Sequence, residues 1–486
     1  MYKKIEIKIY NLTRLTFKKC PPSRFSKNLK ISILYITKTI FRLPYYLCIM
    51  NTKTIITFIF VALFYTQIPA QRIVTLAQVI DLTAHHNFGL RVADNNREVA
   101  ENNATWGNAG LLPRVDLNGN YSYGESSTKA TYAAIPPIET EAAGSRVYGG
   151  NVNASYVLFD GFRGQNTYKK AQLNFRLSDL AYRQEFENTI VNVISAYYEW
   201  VRLQEDEKIA AERFAITKEQ LRQTEGRQQF GQATEANRLN ALTAYNADST
   251  ALIRNRLTIR KVILNLNTLI GKKEINDGDI AENELTLRPD FDFEKLLEKA
   301  QQNNINLLRA LDNIAIATYD IKLAKAARFP RIDLSTSYAL TDQKNELGFL
   351  LTNQNQGWNT GATATYNIFN GSQTTTRIKN AKLSQESQAI ALEQTRFLVE
   401  QDLLNAWLDY ENNKTLLTIG ENNVAIAKQS LDRTLRANRS GQARDIEVRD
   451  AQRAYAQAQN NLLATRLNIK LSEFEVLRVA GLLVEE

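Results

Sequence analysis

Cysteine, histidine, methionine and proline are scarce in this 486-residue chain, and the positions of the few copies exclude a good deal. Both cysteines, Cys20 and Cys48, lie in the first fifty residues. From Asn51 onward there is no thiol, which rules out disulfides, thiolate metal sites and cysteine nucleophiles in that stretch, and no cysteine follows the leader to accept a lipid. The only histidines, His85 and His86, are adjacent. On a helix they point to different faces and cannot clamp one metal together. There is no P-loop, no Gly-rich dinucleotide turn and no nucleophile elbow, so neither an enzyme nor a cofactor is expected. None of the nine prolines falls within 162–270 or 372–480, which leaves two very long stretches free to be helical.

An excess of one charge is missing too, once the leader is set aside. The chain carries +9 formally, but eleven of its 60 Lys and Arg lie in residues 1–49 and one more is Lys53, against the single acid Glu6. Beyond Gln71 that leaves 48 basic and 50 acidic residues, so a nucleic-acid partner is not expected. Residues 50–70 read as a signal peptide, with Lys53, an apolar run from Ile55 to Tyr65, and Ala70 at the cleavage point. That run is too short to remain as a spanning helix. Met50 is the expected start, and 1–49 a doubtful extension.

What is present is a duplication. Leu112-Pro113-Arg114-Val115-Asp116-Leu117 returns as Phe329-Pro330-Arg331-Ile332-Asp333-Leu334, 217 residues on. Phe159-Asp160-Gly161 returns as Phe369-Asn370-Gly371, and Gly231-Gln232-Ala233 as Gly441-Gln442-Ala443, both at 210. A shift this constant marks a tandem repeat. The first unit is 71–271 and the second 290–481, with a linker over 272–289 and a tail over 482–486. The seven-residue difference is expected in one loop, 126–147 in the first unit and 343–357 in the second.

Each unit reads as a helix (75–111 and 292–328) ended by Pro113 or Pro330, then two strands, then a helical hairpin. Val115, Leu117, Gly119, Tyr121 and Tyr123 alternate with Asp116, Asn118, Asn120 and Ser122. The other three strands alternate likewise, making four strands of about 9–12 residues, the length that crosses a bilayer when tilted. Their polar faces are small and uncharged, unlike a solvated sheet, and Trp358 and the tyrosines are expected near strand ends as an aromatic girdle. The proline-free stretches carry apolar residues at spacings of three and four and reverse at Phe230-Gly231 and Ser440-Gly441. That predicts a long arm of about 70 residues and a return arm of about 40, spanning roughly 105 Å and 58 Å at 1.5 Å per residue. The return arm and the pre-strand helix, stacked end to end, would match the long arm. Four strands have open edges that lipid does not tolerate; three chains would close a barrel of twelve.

In order and duplication these motifs resemble the TolC family of outer-membrane efflux channels, over nearly all of 73–481. The resemblance implies a mixed fold: a homotrimeric twelve-stranded membrane β-barrel continuous with a twelve-helix periplasmic α-barrel. It also implies outer-membrane localisation among lipid, a periplasmic adaptor protein, and an inner-membrane pump of the proton-driven resistance-nodulation (RND) or ATP-driven (ABC) type. By the same resemblance Glu447 and Asp450, six and nine residues past Gly441, form an acidic ring at the entrance. The adaptor docks on the hairpin tips, Phe230, Gly231, Gln232, Ala233 and Thr234 in one and Ser440, Gly441, Gln442, Ala443 and Arg444 in the other. Arg444 is one position out from the family's latch cation, and Asn438 replaces an aromatic residue, so the family's latch partners are not clearly matched here. The alternative of a different class is a trimeric adhesive or structural coiled-coil stalk on a membrane anchor. A stalk would place one membrane segment at a chain end, whereas strand pairs here recur inside both halves.

Overall fold

A computed structural model describes residues 72–131, 133–283, 287, 291–347 and 350–483. The signal peptide, the extension before it, part of the linker and the end of the tail lie outside the described residues. The first repeat runs α1 (Leu76–His86), α2 (Phe88–Asn103), β2 (Arg114–Ala130), β3 (Ile138–Phe159), α3 (Arg163–Gln229) and α4 (Glu235–Ile270). The second runs α5 (Phe293–Asn303), α6 (Ile305–Ala326), β5 (Arg331–Asn345), β6 (Thr352–Thr365), α7 (Gln373–Arg439) and α8 (Asp445–Val479). Two short strands, β1 (Ile73–Val74) and β4 (Ile280–Ala281), pair in parallel, so the linker folds back onto the start of the first repeat. No helix among the described residues is long and apolar enough to cross a membrane.

The four long strands form one antiparallel sheet in the order β2-β3-β5-β6, with β2 and β6 as free edges. The repeat holds at the level of single pairs. Tyr121 lies opposite Tyr148 and Tyr338 opposite Trp358, each couple with ring centroids 5.0 Å apart. The strands are longer than expected, at 17, 22, 15 and 14 residues. Apolar alternation stops short of their ends because the strands continue as polar hairpins past the stretch suited to lipid. The expected long loops are mostly strand, and the turns, 131–137 and 346–351, differ little in length. The extra residues lengthen the first hairpin, which bulges near Ser126–Thr128 opposite Ala142 at φ +50°. Trp358 sits in the middle of β6 rather than at its end, and Tyr366 and Ile368 fall just outside that strand.

The helical hairpins match expectation closely: arms of 67 and 36 residues in one repeat, 67 and 35 in the other. The long arm therefore spans about 100 Å. The pre-strand helices differ from the expected single rods. Each is broken by an asparagine in extended conformation, Asn87 and Asn304, 217 residues apart. The Asn87 side chain accepts from the Leu90 amide (2.9 Å) and donates to the Leu269 carbonyl (2.6 Å). Asn304 accepts from the Asn306 and Leu307 amides (2.9 and 3.3 Å) and donates to the Val479 carbonyl (2.9 Å). One amide thus caps the next helix and ties down the end of the return arm. Consequently α1 packs against both α3 and the end of α4, and α2 continues along α3 beyond the break.

The prolines do not end these helices either. Helix α2 stops at Asn103, where Thr105 and Asn108 side chains bond the local backbone in place of a further helical turn. Helix α6 stops at Ala326, four residues before Pro330.

The apolar cores lie at the level of these breaks. One gathers Val79, Tyr197, Trp200, Ile263, Leu266 and Ile270 around β1 and β4. Its counterpart gathers Leu296, Leu403, Tyr410, Ile469 and Val476. Tyr197 links core to linker, donating to the Val74 carbonyl (2.8 Å) and accepting from the Glu282 amide (3.0 Å). Burial pushes its phenol pKa upward.

Candidate functional site: the membrane band and the hairpin tips

On one face of the sheet Val115, Leu117, Tyr121, Tyr123, Tyr148, Val152, Leu334, Leu340 and Trp358 are all exposed, Leu117 at 80 % and Trp358 at 76 %. A soluble sheet would bury this face. The band is nine residues tall on β2 (115–123) and nine on β5 (332–340). At about 3.3 Å per residue and the usual barrel tilt, it has a height near 25 Å. Charge appears at the next positions on the same face. Arg146 lies over the Tyr123 ring (5.7 Å) and pairs with Glu346 (3.2 Å), while Asp342 and Lys344 follow Leu340. The opposite face carries Asp116, Asn118, Asn151 and Ser155 among its residues, and at the base of each repeat an arginine pairs with the acid two residues on, Arg114 with Asp116 (2.9 Å) and Arg331 with Asp333 (2.8 Å). One side suits lipid and the other water.

At the far end of the helices the two tips share one turn. Gly231 (φ +71°) and Gly441 (φ +74°) take the left-handed conformation that reverses the chain without a Cβ clash. Gln232 and Gln442 each donate back to the carbonyl five residues earlier, that of Arg227 or Ala437, at 2.8 Å. The tips then part chemically. Thr234 caps α4 by accepting from the Asn237 amide (3.3 Å); Arg444, in the same position before α8, makes no side-chain cap. Phe230 is 81 % exposed, whereas its counterpart is Ser440.

The two carboxylates singled out from sequence lie on the first turns of α8, both exposed, and each has a cation close by. Arg444 donates to Glu447 at 3.0 Å, and Arg453 stands 3.7 Å from Asp450. Between the two hairpins, just behind the tips, runs a groove of about 330 Å³ with Arg227, Asn237 and Asn240 on one wall and Asn438 and Arg449 on the other. Sequence reasoning missed Arg227 and Arg449, because residues 222 positions apart become neighbours only when the two hairpins lie side by side. The described residues contain no cluster of three His, Cys, Asp or Glu placed to hold a metal. His85 and His86 lie in the last turn of α1, with the His85 ring bonded to the Asp81 carbonyl (2.8 Å).

Comparison with known proteins bears on both ends of the molecule. Residues 79–272 and 296–482 each match the sequence profile described as "Outer membrane efflux protein", one match per repeat. Outer membrane efflux protein BepC of Brucella suis biovar 1 (strain 1330) is 21% identical over 404 residues, covering 81% of this chain and 80% of that protein. Outer membrane protein TolC of Vibrio cholerae serotype O1 is 24% identical over 428 residues, covering 85% and 91%. Among solved structures, the Campylobacter jejuni CmeC outer membrane channel superimposes with a TM-score of 0.69 at 18% identity, over 84% of this chain and 85% of that one.

Proposed function

Because the chain belongs to the outer membrane efflux protein family, we propose that three copies assemble into a channel that passively carries cargo, delivered by an inner-membrane pump and a periplasmic adaptor, across the periplasm and outer membrane. It is an outer-membrane efflux channel rather than an enzyme, and its helices form the periplasmic part. The trimer, the twelve-stranded barrel and the partners are our reading.

The observation that carries it is the state of the two flanks. Within the chain, the second repeat's α6 and α8 cover α3 of the first. Among the described residues the outer flank of α7 has no such cover. Leu383, Ile390 and Phe397 recur every seven residues and are more than 60 % exposed. So are Ile253 and Leu264 on α4, and Phe88 on α2. Their repeat equivalents, Leu173, Leu180, Glu187, Leu463, Phe474 and Ile305, are half-buried or buried at the seam between repeats. The glycines after β3 and β6 tell the same story. A Cβ on Gly161 would meet the Ala326 carbonyl at 2.7 Å, whereas Gly371 has open space. Repeating the internal seam between chains covers both flanks, pairs β6 with β2 of a neighbour, and leaves no strand edge in lipid. Symmetric closure of such a heterologous contact gives a ring.

Under this reading Glu447 and Asp450 ring the entrance, six carboxylates in all. Each already has an arginine, so the ring's field is weaker than that of bare carboxylates. Single-channel conductance of the purified protein in a planar bilayer tests the proposal. We expect cation selectivity that falls in the Glu447→Gln/Asp450→Asn variant. An inserted trimer that passes no current would overturn the channel, and selectivity unchanged in the variant would move the narrow point elsewhere.

A further inference from the structure

Charge is spread unevenly along the molecule. Nearest the sheet lie residues 163–173 of α3, 373–383 of α7, and 316–328, where α6 runs up to β5. These three stretches hold nine Lys and Arg against one acid, Asp320. The first-repeat equivalent of 316–328, residues 99–111, adds only Glu101. The next turns down, 88–98, 174–184, 305–315 and 384–394, carry five cations against six acids, so the excess is gone. At the opposite end of the sheet, over 124–147 and 341–357, three cations stand against five acids. Positive charge is concentrated at one level, where the sheet passes into the helices.

Among the described residues only one of the nine, Lys170, has a carboxylate partner, Asp320. Lys169, Lys322, Lys325, Lys379 and Lys382 are all exposed. The heptad gives the direction of three of them. Lys169 shares its position with Tyr197 and Gln204, four and five heptads on, which bond to β1, β4 and the linker. Lys379 and Lys382 share theirs with Trp407 and Tyr410, whose rings pack on Phe293 and Phe291 just past the linker (5.7 and 4.9 Å). These lysines therefore lie on the linker side of the long arms. In a closed channel that side is the outer one, because a linker inside would plug the lumen.

We propose that these five lysines form a belt that binds the phosphate headgroups of anionic phospholipids in the membrane leaflet facing the periplasm. This rests on the channel reading above and names the lipid chemistry met at that boundary. Between the apolar band and the lysines stand exposed aromatic rings, Phe162, Phe329 and Phe369. Apolar band, aromatic rim and unpaired cations follow the order of hydrocarbon, interface and headgroup in a bilayer. Lys325 is level with the turn before α3, since a Cβ on Gly161 would touch the carbonyl of the next residue, Ala326. Lys169, Lys379 and Lys382 lie six to nine residues into the long arms, about 9 to 14 Å lower. Their flexible stems let the ammonium groups reach back toward the interface. An ammonium is a point charge that takes a phosphate oxygen without demanding one orientation, which suits mobile lipid.

The test reconstitutes the purified protein in phosphatidylcholine bilayers doped with spin-labelled phosphatidylglycerol or spin-labelled phosphatidylcholine. The fraction of label restricted at the protein surface gives the relative affinity. Phosphatidylglycerol should be favoured at least about threefold, and less as salt rises. The Lys169→Gln/Lys322→Gln/Lys325→Gln/Lys379→Gln/Lys382→Gln variant should lose the preference, and Arg at the same five positions should keep it. Lys129→Gln/Lys344→Gln, at the other end of the sheet, should leave it unchanged. Equal affinity for the two lipids, a preference that survives the five Gln substitutions, or one lost in the Lys129 variant overturns the proposal. Lysine-dependent binding to purified peptidoglycan in place of a lipid preference also overturns it, and would assign the belt to the cell wall. Conductance of the same bilayers separates the two readings. An inserted protein that prefers phosphatidylglycerol but passes no current overturns only the channel, whereas a conducting protein without the preference overturns only the belt.

Discussion

Asn87 and Asn304 show how much one amide can hold. Each caps the helix that follows it and ties the end of the return arm, at the height where the apolar cores lie. Asn304 is buried, so Asn304→Ala should cost about 2 kcal/mol, roughly half from the cap and half from the lost buried hydrogen bond. Urea unfolding followed by the fluorescence of buried Trp200 would read it. Glu187 is a different case. It lies buried beside Arg183 (3.3 Å), yet desolvation outweighs that cation and raises its pKa. A carboxyl raised in the folded state contributes its stability fully below the unfolded value near 4.3 and loses it as pH rises through the folded value. Glu187→Gln should therefore stabilise the protein at neutral pH, with no difference from wild type at a pH well below 4. A Gln variant less stable at neutral pH would mean that the charge on Arg183 decides instead. None of these three residues stood out in the sequence. The roles depend on partners such as Leu269, 182 positions from Asn87, that only the folded chain brings near.

At the scale of elements the sequence was legible where local pattern suffices. Proline-free stretches became helical arms of nearly the expected length, and the Gly-Gln-Ala motifs became the turns between them. The breaks at Asn87 and Asn304 were not legible, because helical spacing of apolar residues continues through them. Strand lengths were underestimated for a related reason: alternation reports the stretch beside lipid and not the polar hairpin above it. Arg444 offers a test at this scale. It occupies the cap position that Thr234 fills in the first repeat, without capping. Arg444→Thr should supply a bond to the Glu447 amide and stabilise the start of α8 by about 1 kcal/mol. Hydrogen exchange at 445–448 should slow. Faster exchange would show that the Arg444–Glu447 pair matters more than the cap.

The two repeats are related by two constant displacements, 217 up to the first strand and 210 from the second strand onward, and that regularity predicts contacts a single chain does not contain. Val152 lies opposite Tyr338 within the sheet. The repeat puts Ala362 opposite Tyr121 of the partner subunit across the seam. No cysteine follows Cys48, so Ala362→Cys/Tyr121→Cys can be oxidised without background. Covalent dimers and trimers are expected on denaturing gels, and Ala362→Cys/Asn120→Cys should give few, since a shift of one residue turns the side chain to the other face. Equal yields from both would refute the register. Closure by three chains is proposed from the open strand edges; which residues would meet depends on the register of β3 on β5, which the sequence alone does not give.

The unequal hairpins leave a further mark. The β2–β3 hairpin rises about three residues, or some 10 Å, beyond its counterpart and ends in Ile135-Pro136-Pro137, at the end of the sheet away from the helices. In the proposed trimer three such hairpins would point away from the periplasmic helices, within reach of an antibody on intact cells. A short epitope spliced in at 134–136 should label intact cells, whereas the same epitope at Phe230 should stay hidden until the envelope is opened.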